Sequence, residues 1–258
     1  MRCSTVDSPP VLQGHARLRR SARPGRPTQW SPDGKSAAGA SQGAGLPSPD
    51  HGPPAGWPTV VAVRGVPWWG VVSSAAAPVL LVGGWTAAAR LQPRSFSAIT
   101  DTISALAADG ATDRWVMTAA LAGVGTCHVL TGLALRPASP AGRLILMTGG
   151  AATVLVAANP EPAGGGGSVP HTVWAAVGFI ALAVWPLAAR KRGPAVPPGL
   201  RPGVSAAAAG VLLGLLVWFG AELIGGGRQV GLSERVLAGA QAVWPLAVVL
   251  SCRRSQSR

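Results

Sequence analysis

The sequence predicts an all-α, polytopic membrane protein in which six transmembrane helices form one bundle behind a disordered N-terminal tail. Only 12% of its 258 residues are charged and 48% are hydrophobic, whereas soluble domains carry about 25% charged residues. One stretch, Val169–Gly193, has no charged side chain between His171 and Arg190. As a helix, positions 172 to 189 span about 27 Å, close to the roughly 30 Å hydrocarbon core of a bilayer.

The N-terminal segment, residues 1–56, is predicted to be a disordered, basic cytoplasmic tail. It is rich in Pro, Gly, Ser, Ala and Arg and shows no apolar period. Folding it would bury too little apolar surface to offset the loss of chain entropy. Its positive charge could bring it to anionic lipid headgroups. An unstructured extension, or a misassigned start, is the alternative that this composition leaves open.

The first three spans differ in what they carry. The first, at about residues 67–89, has tryptophans near both ends and Pro78 in the middle. A neighbouring helix can satisfy the carbonyl that this proline frees, so we expect a kink and no break. The second, at about 115–135, contains His128 well inside the apolar stretch. The third, at about 143–158, is short and leads into a loop of Pro and Gly residues.

The last three spans alternate with basic or glycine-rich turns. The fourth, at about 172–189, ends in an Arg-Lys-Arg cluster, and the fifth, at about 203–224, contains Gly210 and Gly214 in a GxxxG pattern. Such a pattern is typical of close helix packing in membranes. The sixth is expected at about 236–252. The transmembrane domain as a whole is predicted to cover 57–252, with 253–258 as a cytoplasmic C-terminal tail.

The connection between the first two spans contains a further helical pattern. Within Ser97–Ala108, the apolar residues Ile99, Ile103 and Leu106 recur at helical spacing, and Asp-Gly follows the segment. This spacing predicts a short amphipathic helix that lies on the membrane surface.

The distribution of charge predicts the orientation. With both termini in the cytoplasm, the outer loops hold five basic residues and leave 17 of the 22 inside. This agrees with the excess of Lys and Arg that cytoplasmic loops carry. The net charge of +13 therefore does not indicate a nucleic-acid binder, because no basic patch in a foldable soluble segment has aromatic residues between its charges. The acidic residues beyond the tail all fall outside: Asp101, Asp109, Asp113, Glu161, Glu222 and Glu234.

Three local patterns resemble one known family. They are DTISALA at Asp101–Ala107, the pair Pro160-Glu161 before His171, and GLSERVLAGAQAVWPLAVVLS at Gly231–Ser251. Together they resemble the DUF998 family, six-span bacterial membrane proteins of the actinobacterial type, distantly similar to the Frag1/DRAM/Sfk1 proteins. The resemblance covers roughly residues 65–252 and implies the six-span fold without implying a reaction. Members often have Phe-Pro-x-Asp where this chain has Asn-Pro-Glu-Pro.

Polar residues at the outer ends of the spans are the candidates for a site. Acids beside a histidine can bind a ligand or move protons. They can equally form a solvated rim, with Asp101 and Asp113 as helix N-caps and Glu222 paired with Arg235. His128 is either a hydrogen-bonded structural residue or a proton-linked or ligand-binding one. The candidate ligand-binding residues are Asp101, Ser104, Glu161, His171, His128 and Glu222, with no metal ligands and no cofactor expected.

The leading functional prediction is a non-enzymatic plasma-membrane protein that binds or moves a lipid or small molecule through an outward-facing polar pocket. The first alternative is a membrane-embedded hydrolase with an acid and histidine site on the outer face. The second is a structural or sensory subunit whose basic tail meets a cytoplasmic partner. The expected partners are the lipid bilayer and such a ligand, without nucleic acid. The sequence does not determine the oligomeric state.

Overall fold

The computed structural model describes residues 65–164 and 167–257, and the predicted disordered tail lies outside them. The described part contains six long helices, two short 3-10 turns and no strand. Each long helix has the length and hydropathy needed to cross a membrane. The predicted fold class is therefore confirmed. The helices are α1 (Trp68–Leu91), α2 (Trp115–Ala134), α3 (Pro140–Ala158), α4 (Val169–Ala189), α5 (Pro202–Ile224) and α6 (Val230–Gln256).

Sequential neighbours pack side by side from α1 to α6, and α6 returns to α1. The short α2–α3 and α5–α6 connections favour this arrangement because they make each helix run antiparallel to the one before it. The last helix also touches α2 and α4, so it closes the bundle between its first and last elements. Pro78 lies inside α1, which continues through it, as the sequence predicts.

Glycines permit a close approach of the backbones of α2 and α3. A Cβ atom added to Gly125 would lie 2.5 Å from the carbonyl oxygen of Gly150, and one added to Gly150 would lie 2.6 Å from that of Gly125. Only glycine leaves room for this contact. The GxxxG pair of α5 behaves differently, because nothing in the described part of the chain lies within 4 Å of a Cβ built on Gly210 or Gly214. The described residues therefore do not make the predicted close packing at that pair.

The segment predicted as a surface helix has another structure. Most of residues 97–109, called here the 97–109 segment, forms turns, and only Ser104–Ala107 forms a short 3-10 helix. Ile103 is 2% exposed and packs with Leu106 into a core cluster formed by α1 and α2, whereas Ile99 is 53% exposed. The side chains of Ile103 and Leu106 are thus buried in the bundle and only that of Ile99 is exposed, so the three do not form the apolar face of a surface helix.

The two expected helix caps are not formed. Asp113 has a positive φ of 48° and precedes the N-cap position of α2, where no side chain caps the helix. The carboxylate of Asp101 accepts a hydrogen bond from the backbone N–H of Ser97 at 2.7 Å and closes a turn in the 97–109 segment. Both acids therefore shape loops instead of helix ends.

The folded bundle separates charge between its two ends. All six described acidic residues lie at the end formed by the α1–α2, α3–α4 and α5–α6 connections, together with five arginines. The opposite end has basic residues and no described acid. We call the first the acidic end and the second the basic end. The basic end carries Arg136, Arg143, Arg190, Lys191, Arg192, Arg201, Arg253 and Arg254.

Candidate functional site

A histidine at the start of α4 is the centre of a polar cluster at the acidic end. His171 is only 4% exposed. Its Nδ1 lies 2.9 Å from the carbonyl oxygen of Asn159, and its Nε2 lies 3.1 Å from Oγ of Ser104. The cluster thus joins the end of α3, the start of α4 and the 97–109 segment.

The partner of Nδ1 defines the tautomer of the neutral ring. A backbone carbonyl can only accept, so Nδ1 carries the hydrogen and donates it to Asn159. The other nitrogen, Nε2, then holds a lone pair and accepts from the hydroxyl of Ser104. Because its hydrogen is used in this bond, the hydroxyl of Ser104 can only accept further hydrogen bonds.

Glu161 lies beside the same ring nitrogen. Its Oε1 is 3.4 Å from Nε2 of His171, and its backbone carbonyl accepts from the N–H of Asp109 at 2.8 Å. The backbone bond fixes the α3–α4 loop against the 97–109 segment. When the ring is protonated, Nε2 becomes a donor and Glu161 is the nearest anion. His171 can therefore hold a proton beside a carboxylate.

A second carboxylate holds the 97–109 segment from the opposite side. Oε2 of Glu234, in the second turn of α6, accepts from the backbone N–H of Ile103 at 2.5 Å. Arg235 donates to the carbonyl oxygens of Ala98 and Asp101 at 2.8 and 2.7 Å. Glu234 is 3% exposed. The segment is thus held between α4 and α6 and covers the acidic end of the bundle.

A cavity of about 70 Å³ lies beneath this cover. Ser104 and Glu234 line it at the acidic end, and His128 and Gln241 line it farther along α2 and α6. Most of the wall is apolar. Ligand sites in proteins commonly combine an apolar wall with a few polar groups in this way. The apolar and aromatic part of the wall includes Leu81, Leu121, Val124, Trp174, Phe179 and Ala238.

His128 has one bonded and one free ring nitrogen. It is 2% exposed, and its Nδ1 lies 2.8 Å from the carbonyl oxygen of Val124, one turn earlier in α2. Its Nε2 is buried without a hydrogen-bond partner. The ring also faces the backbone carbonyl of Gln241, and a neutral ring can donate to only one of two carbonyl oxygens. Buried polar atoms are seldom left unpaired, so a further group belongs beside the nitrogen that does not donate.

Gln241 faces the same cavity from α6. Its side-chain Nε2 donates to the carbonyl oxygen of Phe179 at 2.9 Å, which links α6 to α4. The backbone carbonyl of Gln241 lacks its usual helical donor because Pro245, four residues later, has no N–H. Gln241 therefore bridges α6 and α4 beside the cavity.

The structure groups the predicted site residues unevenly. Ser104 lies within hydrogen-bonding distance and Glu161 within ion-pair distance of His171, and His128 lies in the cavity below. Asp101 stands apart, with its carboxylate bonded to Ser97. Glu222 is separate too, since its Oε2 accepts from the N–H of Gln229 at 2.8 Å. The expected pair of Glu222 with Arg235 is replaced by these contacts.

Glu234 is the site residue that the sequence prediction did not select. The sequence nevertheless contained a pattern that indicates Glu234. It lies seven residues, or about two helical turns, before Gln241, so the two share one face of α6. Among the described residues, no group of three His, Cys, Asp or Glu side chains is placed to hold a metal ion.

Comparison with known proteins gives one match. A family model described as "Protein of unknown function (DUF998)" matches residues 75–251. No curated protein and no solved structure matches the chain. The matched range contains all of α2 to α5 and most of α1 and α6, together with all residues of the cluster and cavity.

Proposed function

The chain belongs to the DUF998 family, and on that premise we propose that it binds a small, largely apolar molecule at the acidic end of its bundle. In this proposal it is a plasma-membrane protein with both termini in the cytoplasm. The acidic end faces outward, because loops rich in Lys and Arg stay on the cytoplasmic side.

One observation supports binding most directly: the cavity contains a buried ring nitrogen, Nε2 of His128, that has no hydrogen-bond partner among the described residues. An unpaired polar atom in an apolar interior costs about 1–3 kcal/mol. A cavity with only a structural role would be more stable with an apolar residue at this position, because that residue would pack without this cost. A bound molecule or water that forms a hydrogen bond with Nε2 removes the cost.

The test is to ask what the purified protein retains and whether filling the cavity removes it. Ala238→Leu adds three carbon atoms to the cavity wall. Ala206→Leu makes the same change on the exposed face of α5 and is the matched control. Native mass spectrometry should find a bound small molecule or lipid on the wild type and on Ala206→Leu and should find less on Ala238→Leu. Equal amounts on all three proteins would contradict binding in the cavity.

A membrane-embedded hydrolase is the second candidate, and the hydrogen bond between Ser104 and His171 favours it. In this reading Nε2 of His171 takes the hydroxyl proton as Ser104 attacks an ester carbonyl. The proton then passes to the leaving alcohol, and water later releases the acyl group from Ser104. A fluorophosphonate probe should label the wild type and not Ser104→Ala. Absence of labelling of a folded wild type would remove this candidate and leave the binding proposal unaffected.

A further inference from the structure

We infer that the ligand of this cavity is a protonated amine with an apolar body. The inference rests on the proposed binding function and adds the chemical class of the ligand. It follows from three properties of the cavity wall: the hydrogen-bonding roles that remain free, the buried carboxylate and the aromatic side chains.

The first property is a shortage of hydrogen-bond donors. Six polar side chains line the cavity, and three of them offer acceptors only. Ser104 and Thr153 have given their hydroxyl hydrogens to His171 and to the carbonyl oxygen of Gly149. Glu234 has no hydrogen to give as a carboxylate. The six are Ser104, His128, Thr153, Trp174, Glu234 and Gln241.

A ligand that satisfies this wall must bring donors of its own. An ammonium group has three N–H donors and no acceptor, whereas an alcohol has one donor and a carboxylate has none. A carboxylate ligand would meet the acceptors of Ser104, Thr153 and Glu234. The wall therefore selects against anions.

The second property is charge. Glu234 is 3% exposed, and an ionised carboxylate in an apolar interior is costly unless it is paired. Its bond from the N–H of Ile103 supplies a dipole and not a countercharge. Arg235 follows it in α6, but its guanidinium Nη1 is engaged with the carbonyl oxygens of Ala98, Asp101 and Gly231. A cation in the cavity would pair with Glu234 directly.

The third property is the wall around these groups. Trp174 and Phe179 line the same cavity, and aromatic faces attract cations as well as apolar groups. The volume of about 70 Å³ is less than half of an engineered cavity of about 150 Å³ that binds benzene. The enclosed part of the ligand is therefore small, and any longer portion extends toward the acidic end.

The experiment compares n-butylamine, 1-butanol and butyrate, which have the same chain length and differ in charge and donors. The wild type is placed in nanodiscs of neutral phosphatidylcholine at pH 7, where the amine is protonated. Apparent dissociation constants come from the rise in unfolding temperature with probe concentration. We expect n-butylamine to bind at least about ten-fold more tightly than 1-butanol, a difference of about 1.4 kcal/mol, and butyrate not to bind.

Two glutamates provide matched variants. Glu234→Gln removes the charge and keeps an acceptor for the N–H of Ile103, and it should lower amine affinity by about ten-fold or more. Glu222→Gln removes a charge at the same end of the bundle, on α5, where the carboxylate bonds to Gln229 outside the cavity wall. It should leave the amine affinity within about two-fold of the wild type, since its charge is outside the site.

The outcomes separate the inference from the proposed function. Equal binding of the amine and the alcohol by the wild type, or tighter binding of butyrate, overturns the inference even if Glu234→Gln fails to fold. Unchanged amine binding by a folded Glu234→Gln overturns it too. If no probe binds while the protein retains a molecule that Ala238→Leu loses, the inference fails and the proposed function stands. If no probe binds and the wild type retains no molecule that Ala238→Leu loses, both the inference and the proposed function fail.

Discussion

At the scale of single residues, His171 is more than a member of a solvated rim. It is 4% exposed and bonded on both ring nitrogens, to Asn159 and to Ser104. Truncating it would leave the hydroxyl and the carbonyl without their partner in a partly buried place. If His171 were instead a solvated rim residue, water would take its place beside the hydroxyl and the carbonyl after truncation.

His171→Ala should therefore lower the free energy of unfolding by about 1–3 kcal/mol. Thr172→Ala, at the exposed next position, is the control and should change it by no more than about 0.5 kcal/mol. Denaturant unfolding of both variants in detergent measures the difference. A change for His171→Ala no larger than that of the control would indicate that this histidine is a residue of the solvated rim.

The sequence predicted which residues belong to the cluster better than it predicted the groups to which each side chain bonds. Acid and histidine residues at span ends identified Glu161 and His171, and the short DTISALA motif contained Ser104. Asp101 and Glu222 satisfied the same criterion but bond to local backbone N–H groups. Which acid points inward depends on loop geometry, and loop geometry is set by contacts between distant segments such as Glu234 and Ile103.

At the scale of elements, the 97–109 segment is a packed cover and not a surface helix. Apolar residues at helical spacing can face lipid or the interior of the bundle, and the spacing alone does not distinguish these. Ile103 and Leu106 enter the core formed by α1 and α2, and hydrogen bonds from α4 and α6 hold the segment. Ile99 takes no part in that core.

Two isoleucines test this difference. Ile103→Ala should lower the free energy of unfolding by about 2–4 kcal/mol, because it leaves a cavity in a closed core. Ile99→Ala removes the same atoms at an exposed position and should cost no more than about 0.5 kcal/mol. Thermal or denaturant unfolding in detergent provides the comparison. Equal effects of the two substitutions would favour the amphipathic surface helix.

At the scale of the whole molecule, the number of spans and the separation of charge were predictable because both follow from local composition. Six apolar stretches of membrane length gave six helices. The helices extend beyond the apolar stretches, so that α6 begins at Val230 instead of about residue 236. Polar first turns continue a helix when their side chains find partners, as Glu234 does with Ile103. Hydropathy does not contain that information.

The orientation of the bundle can be tested with cysteines introduced at its two ends. Native Cys252 cannot report it, because its side chain is fully buried. Ala163→Cys at the acidic end and Ser255→Cys at the basic end are at exposed positions. An impermeant thiol reagent should label Ala163→Cys in intact cells and Ser255→Cys only after lysis. The unaltered chain gives the background, and the reverse pattern would invert the proposed topology.

The central claim is that a molecule reaches this cavity from the acidic end, which the proposed topology places outside, and one pair of cysteines tests it most directly. Ala175 lines the cavity, whereas Ala176 lies on the exposed face of α4 at nearly the same depth. A thiol must ionise to react, and ionisation is unfavourable in hydrocarbon.

A small impermeant methanethiosulfonate added to intact cells should modify Ala175→Cys and leave Ala176→Cys unmodified. Reaction of Ala175→Cys only after lysis, or equal rates at the two positions, would contradict an outward-opening cavity.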